Sequence, residues 1–228
     1  MIDHLICDCD GVLVDSEVIA DRVMLEALTE TFPGVNFKPV MKTAFGQQTS
    51  RFLTHLETKF GIAMPAGFVD TLGARVGREL ARSVGPIAGV RNALQRVSLP
   101  VAVVSNSWME RVRASVQRAG LDEIVGERLF SAEQVAKPKP YPDVYLFAAK
   151  TLGVAPERCL VVEDSIAGLT AARAAGMMTI AFVGASHIPE GYAHVLRQSG
   201  VTRIIDSMDD LPALVEAGMR GEFRGVQS

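Results

Sequence analysis

Four short runs in this sequence are built almost wholly of aliphatic or β-branched residues: Leu5-Ile6-Cys7, Val101-Ala102-Val103-Val104, Cys159-Leu160-Val161-Val162 and Thr179-Ile180-Ala181-Phe182-Val183. None alternates with polar residues. That is the pattern of a parallel strand buried on both faces. Amphipathic helical stretches lie between them, from about Trp108 to Arg118, Asp143 to Thr151 and Ile166 to Ala175. Strand alternating with helix predicts an α/β domain with right-handed crossovers. With 228 residues, 48% of them hydrophobic, the chain can bury such a core and still carry a smaller inserted domain.

The stretch from about Ser16 to Val84 reads differently. Its periodicity is helical over Val18 to Leu28, Ser50 to Phe60 and Phe68 to Leu80, with breaks at Pro33-Gly34, Gly61 and Pro65. Gly85-Pro86 closes it before a new helix begins near Gly89. The organisation predicted is a core of residues 1–15 and 86–228 with a helical insert over 16–85. The C-terminal Gly-Val-Gln-Ser is expected to fray.

Composition excludes some partners. The net charge of −3 argues against nucleic acid, whose phosphates call for a basic patch. No polybasic segment suits an anionic membrane surface, and no apolar run approaches the ~20 residues of a membrane span. No signal-type stretch precedes the first strand, so a cytoplasmic protein is expected, a monomer or weak homodimer. Cys7, Cys9 and Cys159 sit in strand-like settings and read as small buried hydrophobes rather than ligands of zinc.

The chemistry lies at the strand ends. The first run leads into Asp8-Cys9-Asp10-Gly11, the second into Ser105-Asn106-Ser107, the third into Glu163-Asp164-Ser165. In parallel α/β sheets ligands bind outside the carboxyl ends of the strands, so neighbouring strands would bring these clusters to one crevice. In an extended segment Asp8 and Asp10 point the same way, with Cα atoms roughly 6–7 Å apart. Two such carboxylates can flank one phosphoryl group. Asp8, already an anion, would attack phosphorus and form an aspartyl phosphate that water then opens. Asp10, its pKa raised by the neighbouring carboxylate, would protonate the leaving alkoxide and later take a proton from water. Asp8, Glu163 and Asp164 concentrate negative charge, which a hard cation with oxygen ligands relieves; Mg²⁺ is the usual choice in phosphoryl transfer. Ser105 and the amides near Asn106 suit phosphate oxygens, and Lys139 adds a fixed positive charge.

Each residue taken singly also has an ordinary reading. Asp10-Gly11 is a common turn, Ser105 or Ser165 a helix cap, Lys139 a surface lysine, and Glu163-Asp164 acids facing a helix dipole. Four clusters in order at strand ends are harder to explain that way. A calcium-binding loop starting at Asp8 is ruled out by Val12 and Leu13 at its fifth and sixth places.

In that order the clusters resemble the haloacid dehalogenase superfamily. Asp8-Cys9-Asp10-Gly11-Val12-Leu13-Val14-Asp15-Ser16 is similar to its first motif, Ser105-Asn106 to the second, Lys139-Pro140-Tyr141-Pro142-Asp143 to the third and Glu163-Asp164-Ser165-Ile166-Ala167-Gly168 to the fourth. The resemblance implies a Rossmann-like parallel-sheet core with an inserted α-helical cap. It implies Asp8 as nucleophile, Asp10 as acid–base, and Mg²⁺ held by Asp8, the backbone carbonyl of Asp10 and Asp164, with Glu163 near the metal. Lys137 and Lys139 compete for the third motif; Lys139 carries the full Lys-Pro-x-Pro-Asp pattern. Asp10 marks phosphoryl transfer, because dehalogenases of the family lack that aspartate. Ala20 stands where β-phosphoglucomutases carry a histidine, which favours hydrolysis over the alternative, a phosphomutase. Phe45-Gly46-Gln47-Gln48-Thr49-Ser50-Arg51 resembles the cap loop that reads substrate, with Gly46, Gln47 and Arg51 as its contacts, or else a plain helix start capped by Thr49 or Ser50. Asp15-Ser16 and Gly85-Pro86 would be the cap's hinges. The expectation is a phosphatase for a small phosphorylated metabolite, a sugar phosphate by preference. A phospho-accepting receiver domain is the rival from another class, but receivers are shorter, have no insert and accept phosphate at the third strand.

Overall fold

A computed structural model describes residues 1–41, 44 and 49–223. The described chain divides into two units, residues 1–15 with 85–228 and residues 16–84.

The first unit is built on a six-stranded sheet: β1 (His4–Cys7), β2 (Val101–Ser105), β3 (Leu129–Ser131), β4 (Cys159–Glu163), β5 (Met178–Phe182) and β6 (Ile204–Ile205). Its order is β3-β2-β1-β4-β5-β6, and every pair is parallel. The expected α/β Rossmann-like sheet is therefore present. The four apolar runs are its four inner strands, and β2 and β4 are buried along their whole length. The edges β3 and β6 have three and two residues, too few to show a period, and the sequence gives no sign of them. Leu5 pairs with Val101 on one side and Leu160 on the other. The chain order reverses beside β1, and a parallel sheet binds its ligand at such a switch point.

The helices predicted between the strands form, with ends shifted by a residue or so. They are α6 (Met109–Arg118), α8 (Asp143–Leu152) and α9 (Ile166–Ala174); α5 (Val90–Gln95) follows Gly89 as expected. The unit also carries α7 (Asp122–Val125), α10 (Tyr192–Gln198) and α11 (Leu211–Met219). Ile6, Val104 and Val161 from the sheet pack with Val144, Tyr145, Ala148, Ala171 and Ala172 from α8 and α9. Small residues there let the helices lie close against the strands. Cys7, Cys9 and Cys159 are free and buried; burial first, then neighbouring acids, pushes the Cys7 and Cys159 thiols up to about 12. They are inert filler.

The second unit is helical, with α1 (Glu17–Thr31), α2 (Lys38–Met41), α3 (Thr49–Phe60) and α4 (Phe68–Ser83). Its own core includes Val23, Leu28, Phe37, Phe52, Leu56 and Leu72. Arg75 bridges Glu26 and Glu30, and Arg22 bridges Glu26 and Glu79, tying α1 to α4. Where the chain leaves and re-enters the first unit, its segments are stitched together: Asp15 N donates to Gly85 O (3.0 Å) and Ile87 N to Leu13 O (2.9 Å). Among the described residues no helix is long and apolar enough to cross a membrane.

Candidate active site at the ends of the central strands

Three neighbouring strands, β2, β1 and β4, end at the three polar clusters, so the clusters meet. Strand β1 stops at Cys7, one residue short of Asp8, although Asp8 N still donates to Val162 O (2.9 Å). The chain then turns at Gly11, just beyond Asp10. Gly11 has φ +80°, and a Cβ there would lie 1.9 Å from Asp164 Oδ2. Both the backbone conformation and the close approach require glycine. Gly11→Ala should lower stability by at least ~1 kcal/mol in a denaturant titration, because αL strain adds to the clash with a buried carboxylate.

Asp8 (7% exposed), Lys139 (5%) and Glu163 (1%) form a buried ionic chain. Lys139 Nζ donates to Asp8 Oδ1 (2.6 Å), Glu163 Oε1 (2.7 Å) and the Val104 carbonyl (2.9 Å). An ammonium has three protons, so Lys139 is fully used. In this arrangement it fixes Asp8 rather than reaching outward to a phosphate. Lys137, the competing lysine, is exposed and lies over the Tyr141 ring.

Glu163 is held on both oxygens. Oε1 accepts from Lys139 and from Tyr145 Oη (3.3 Å); Oε2 accepts from Ser165 N (3.0 Å) and Ser165 Oγ (2.9 Å). Ser165 caps α9, with Gly168 N donating to its Oγ. A Cβ on Gly168 would meet Glu163 Oε1 at 1.6 Å, so the first turn of α9 rests directly on the carboxylate.

Asp8, Glu163 and Asp164 each offer an oxygen, and these atoms lie within 4.8 Å of one another. Three carboxylates against one ammonium leave an excess of negative charge. Burial foremost pushes the Asp8 carboxyl well above the ordinary range; Glu163, Asp164 and Asp10 add to this and Lys139 opposes it. Burial alone would discharge Lys139, but Asp8 and Glu163 outweigh it and hold its pKa well above normal. A further cation at this cluster would favour the anionic form of Asp8. Buried, crowded carboxylate oxygens are the donor set a hard divalent ion takes, and the group fits Mg²⁺ on that ground.

The second and third motifs meet through Asn106. Lys139 N donates to Asn106 Oδ1 (2.9 Å), and Asn106 Nδ2 donates to Lys139 O (3.2 Å). The Asn106 side chain clamps the backbone of the lysine loop. Ser105 is buried, and its Oγ accepts from Ser107 N (3.0 Å). Pro142 stands at the N-cap of α8.

Asp10, whose charge is felt by Asp8, also meets a cation and a hydroxyl donor. Its Oδ1 accepts from Arg111 Nη2 (2.7 Å) and its Oδ2 from Ser107 Oγ (2.7 Å). A guanidinium thus stands beside Asp10 in addition to the carboxylate of Asp8. Arg111, Tyr145 and His187, whose Nε2 lies 3.2 Å from Asp164 Oδ2, were not anticipated. His187 follows β5, a fourth strand end whose polar content was the available signal. Of the cap contacts expected, Gly46 and Gln47 lie outside the described residues, as do Phe45, Gln48 and the C-terminal 224–228; Arg51 is exposed on α3.

The family model described as haloacid dehalogenase-like hydrolase matches residues 2–176. A 6-phosphogluconate phosphatase of Escherichia coli is 28% identical over 82% of this chain and 85% of its own. Hexitol phosphatase A of the same organism is 31% identical, covering 86% of this chain and 92% of its own. A haloacid dehalogenase family hydrolase from Deinococcus radiodurans, solved with bound phosphate and sodium, superposes with a TM-score of 0.80 at 34% identity, over 96% of this chain and 97% of that one.

Proposed function

The chain belongs to the haloacid dehalogenase-like hydrolase family, and from that premise we propose that it is a Mg²⁺-dependent phosphatase acting on a small sugar phosphate. The observation that carries this is the buried Asp8–Lys139–Glu163 chain, with Asp164 beside it, at the carboxyl ends of β1 and β4. The relatives named for 6-phosphogluconate and hexitol phosphates, and the phosphate bound by the Deinococcus protein, support the substrate class.

In the proposed reaction a carboxylate oxygen of Asp8 bonds to phosphorus as the bond from phosphorus to the ester oxygen breaks. Asp10 gives its proton to that oxygen, and the alcohol leaves. Water then attacks the aspartyl phosphate and passes a proton to Asp10, releasing phosphate and restoring both acids. Lys139 holds Asp8 in line, and Glu163 holds Lys139. Asp8 and Asp164, with the Asp10 carbonyl, would hold the ion, which supplies charge neutralisation for the phosphoryl oxygens. Glu163, with four internal donors, is assigned to the lysine and not to the metal.

A panel of sugar phosphates with Mg²⁺, read by phosphate release, tests the reading. Activity on at least one member is expected, and a panel on which wild type equals Asp8→Asn would sink it. Chelation with EDTA should stop release, and added Mg²⁺ should restore it; turnover undiminished by chelation would remove the metal from the proposal. Ala20, in place of the histidine of the mutases, keeps the reading on hydrolysis.

A further inference from the structure

Arg111 stands in the first turn of α6, directly after the strand end that carries Ser105 and Ser107. A cation at the N-terminal end of a helix opposes the helix dipole, so α6 gains nothing from it there. A residue that breaks a local rule without local benefit is where function is to be sought. Its guanidinium meets Asp10 Oδ1 at 2.7 Å, with the arginine side chain 31% and the aspartate 17% exposed. Ser107 takes the other oxygen, and Ser107 is itself braced: Ser131 Oγ donates to its carbonyl (2.7 Å) and its N–H is bound by Ser105. The carboxylate of Asp10 is therefore gripped at both oxygens, by Arg111 on α6 and by Ser107 after β2, which Ser131 of β3 braces. One hydrogen bond leaves a carboxylate free to rotate about its bond to Cβ; two on different oxygens fix its plane.

We propose that Arg111 is a positioning residue for the reaction, acting through Asp10 by orienting its carboxyl group toward the leaving oxygen of the ester. This rests on the phosphatase reading above. It has a signature that a structural or phosphate-binding role lacks. An alkyl alcohol must be protonated as it leaves, whereas p-nitrophenolate leaves as a stable anion. A residue that acts only through the proton donor matters for the first ester and hardly for the second. The comparison uses kcat/KM, which covers the steps through departure of the alcohol and not the later hydrolysis.

The experiment compares wild type, Arg111→Met and Arg111→Lys on p-nitrophenyl phosphate and on the alkyl monoester that wild type turns over fastest. Arg111→Met should lose at least about tenfold in kcat/KM on the alkyl ester and less than about threefold on the aryl ester, the scale on which general acids act. Arg111→Lys, which keeps the charge, should recover most of the alkyl rate. Equal losses on both esters, or no loss on either, overturn the inference while leaving the phosphatase intact. If wild type releases phosphate from neither ester, the phosphatase reading falls first and this inference with it. Should Arg111→Met fail to fold, Arg111→Gln and Ser107→Ala carry the same comparison, and each must show the larger loss on the alkyl ester.

Discussion

Replacing Asp8 with asparagine is expected to abolish phosphate release, by roughly 10⁴-fold or more, since removing a nucleophile leaves only binding and charge stabilisation. The same variant should fold at least as well as wild type. Asparagine has the shape of a neutral aspartic acid and keeps an acceptor for Lys139. It removes a charge that burial and three neighbouring carboxylates disfavour, against one lysine that favours it. The sign follows from the raised pKa. An acid whose pKa is higher in the folded state stabilises the fold below its unfolded pKa, and that contribution is lost as pH rises through the folded value. The metal-free wild type carries that loss as pH rises, and Asp8→Asn, which does not titrate, escapes it. Thermal melts in EDTA should place the variant at or above wild type. A variant that keeps its activity would remove Asp8 from the mechanism; one that is inactive and much less stable would leave the loss of activity open to a folding explanation.

Lys139→Met is expected to fail in both respects. It strips the ammonium from a site where three carboxylates approach one another and leaves Asp8, Glu163 and the Val104 carbonyl each short of a donor. Breaking a buried ion pair from one side costs about 3–5 kcal/mol, and a chain of this size loses on the order of 10 °C in Tm. The double variant Lys139→Met with Asp8→Asn should be less damaged than the sum of the two, because the asparagine no longer repels Glu163. Additive losses would mean that Lys139 serves packing against Tyr145, not charge. A variant as stable as wild type would contradict the ionic chain.

Much of this was legible in the sequence. Burial on both faces writes itself as an unbroken apolar run, so the inner strands stood out. A strand that ends in acids or hydroxyls interrupts that pattern at the point where a parallel sheet binds ligands. Asp8, Ser105, Glu163 and Asp164 were found for that reason. Lys139 was a weaker reading, because a lysine between prolines also reads as surface, and only the motif it resembles separated it from Lys137. Edge strands β3 and β6 left no trace because two or three residues have no period.

The partners of those residues came from the folded chain. Sequence spacing fixes which side chains share an element, but not which atoms meet across elements. Asn106 turned inward onto the backbone of Lys139, and Arg111 reached Asp10 across 101 positions of chain. Asp10 was read as an acid near another carboxylate; its oxygens also meet a guanidinium and a hydroxyl, which nothing in the spacing announced. The sequence by itself determined which groups stand at the ends of the central strands, because strand burial and strand termination are local patterns. Only the tertiary structure decided how they pair. Pairing depends on side-chain direction across elements, which local pattern does not encode, and on a charge balance summed over residues that follow β1, end β4 and precede α8.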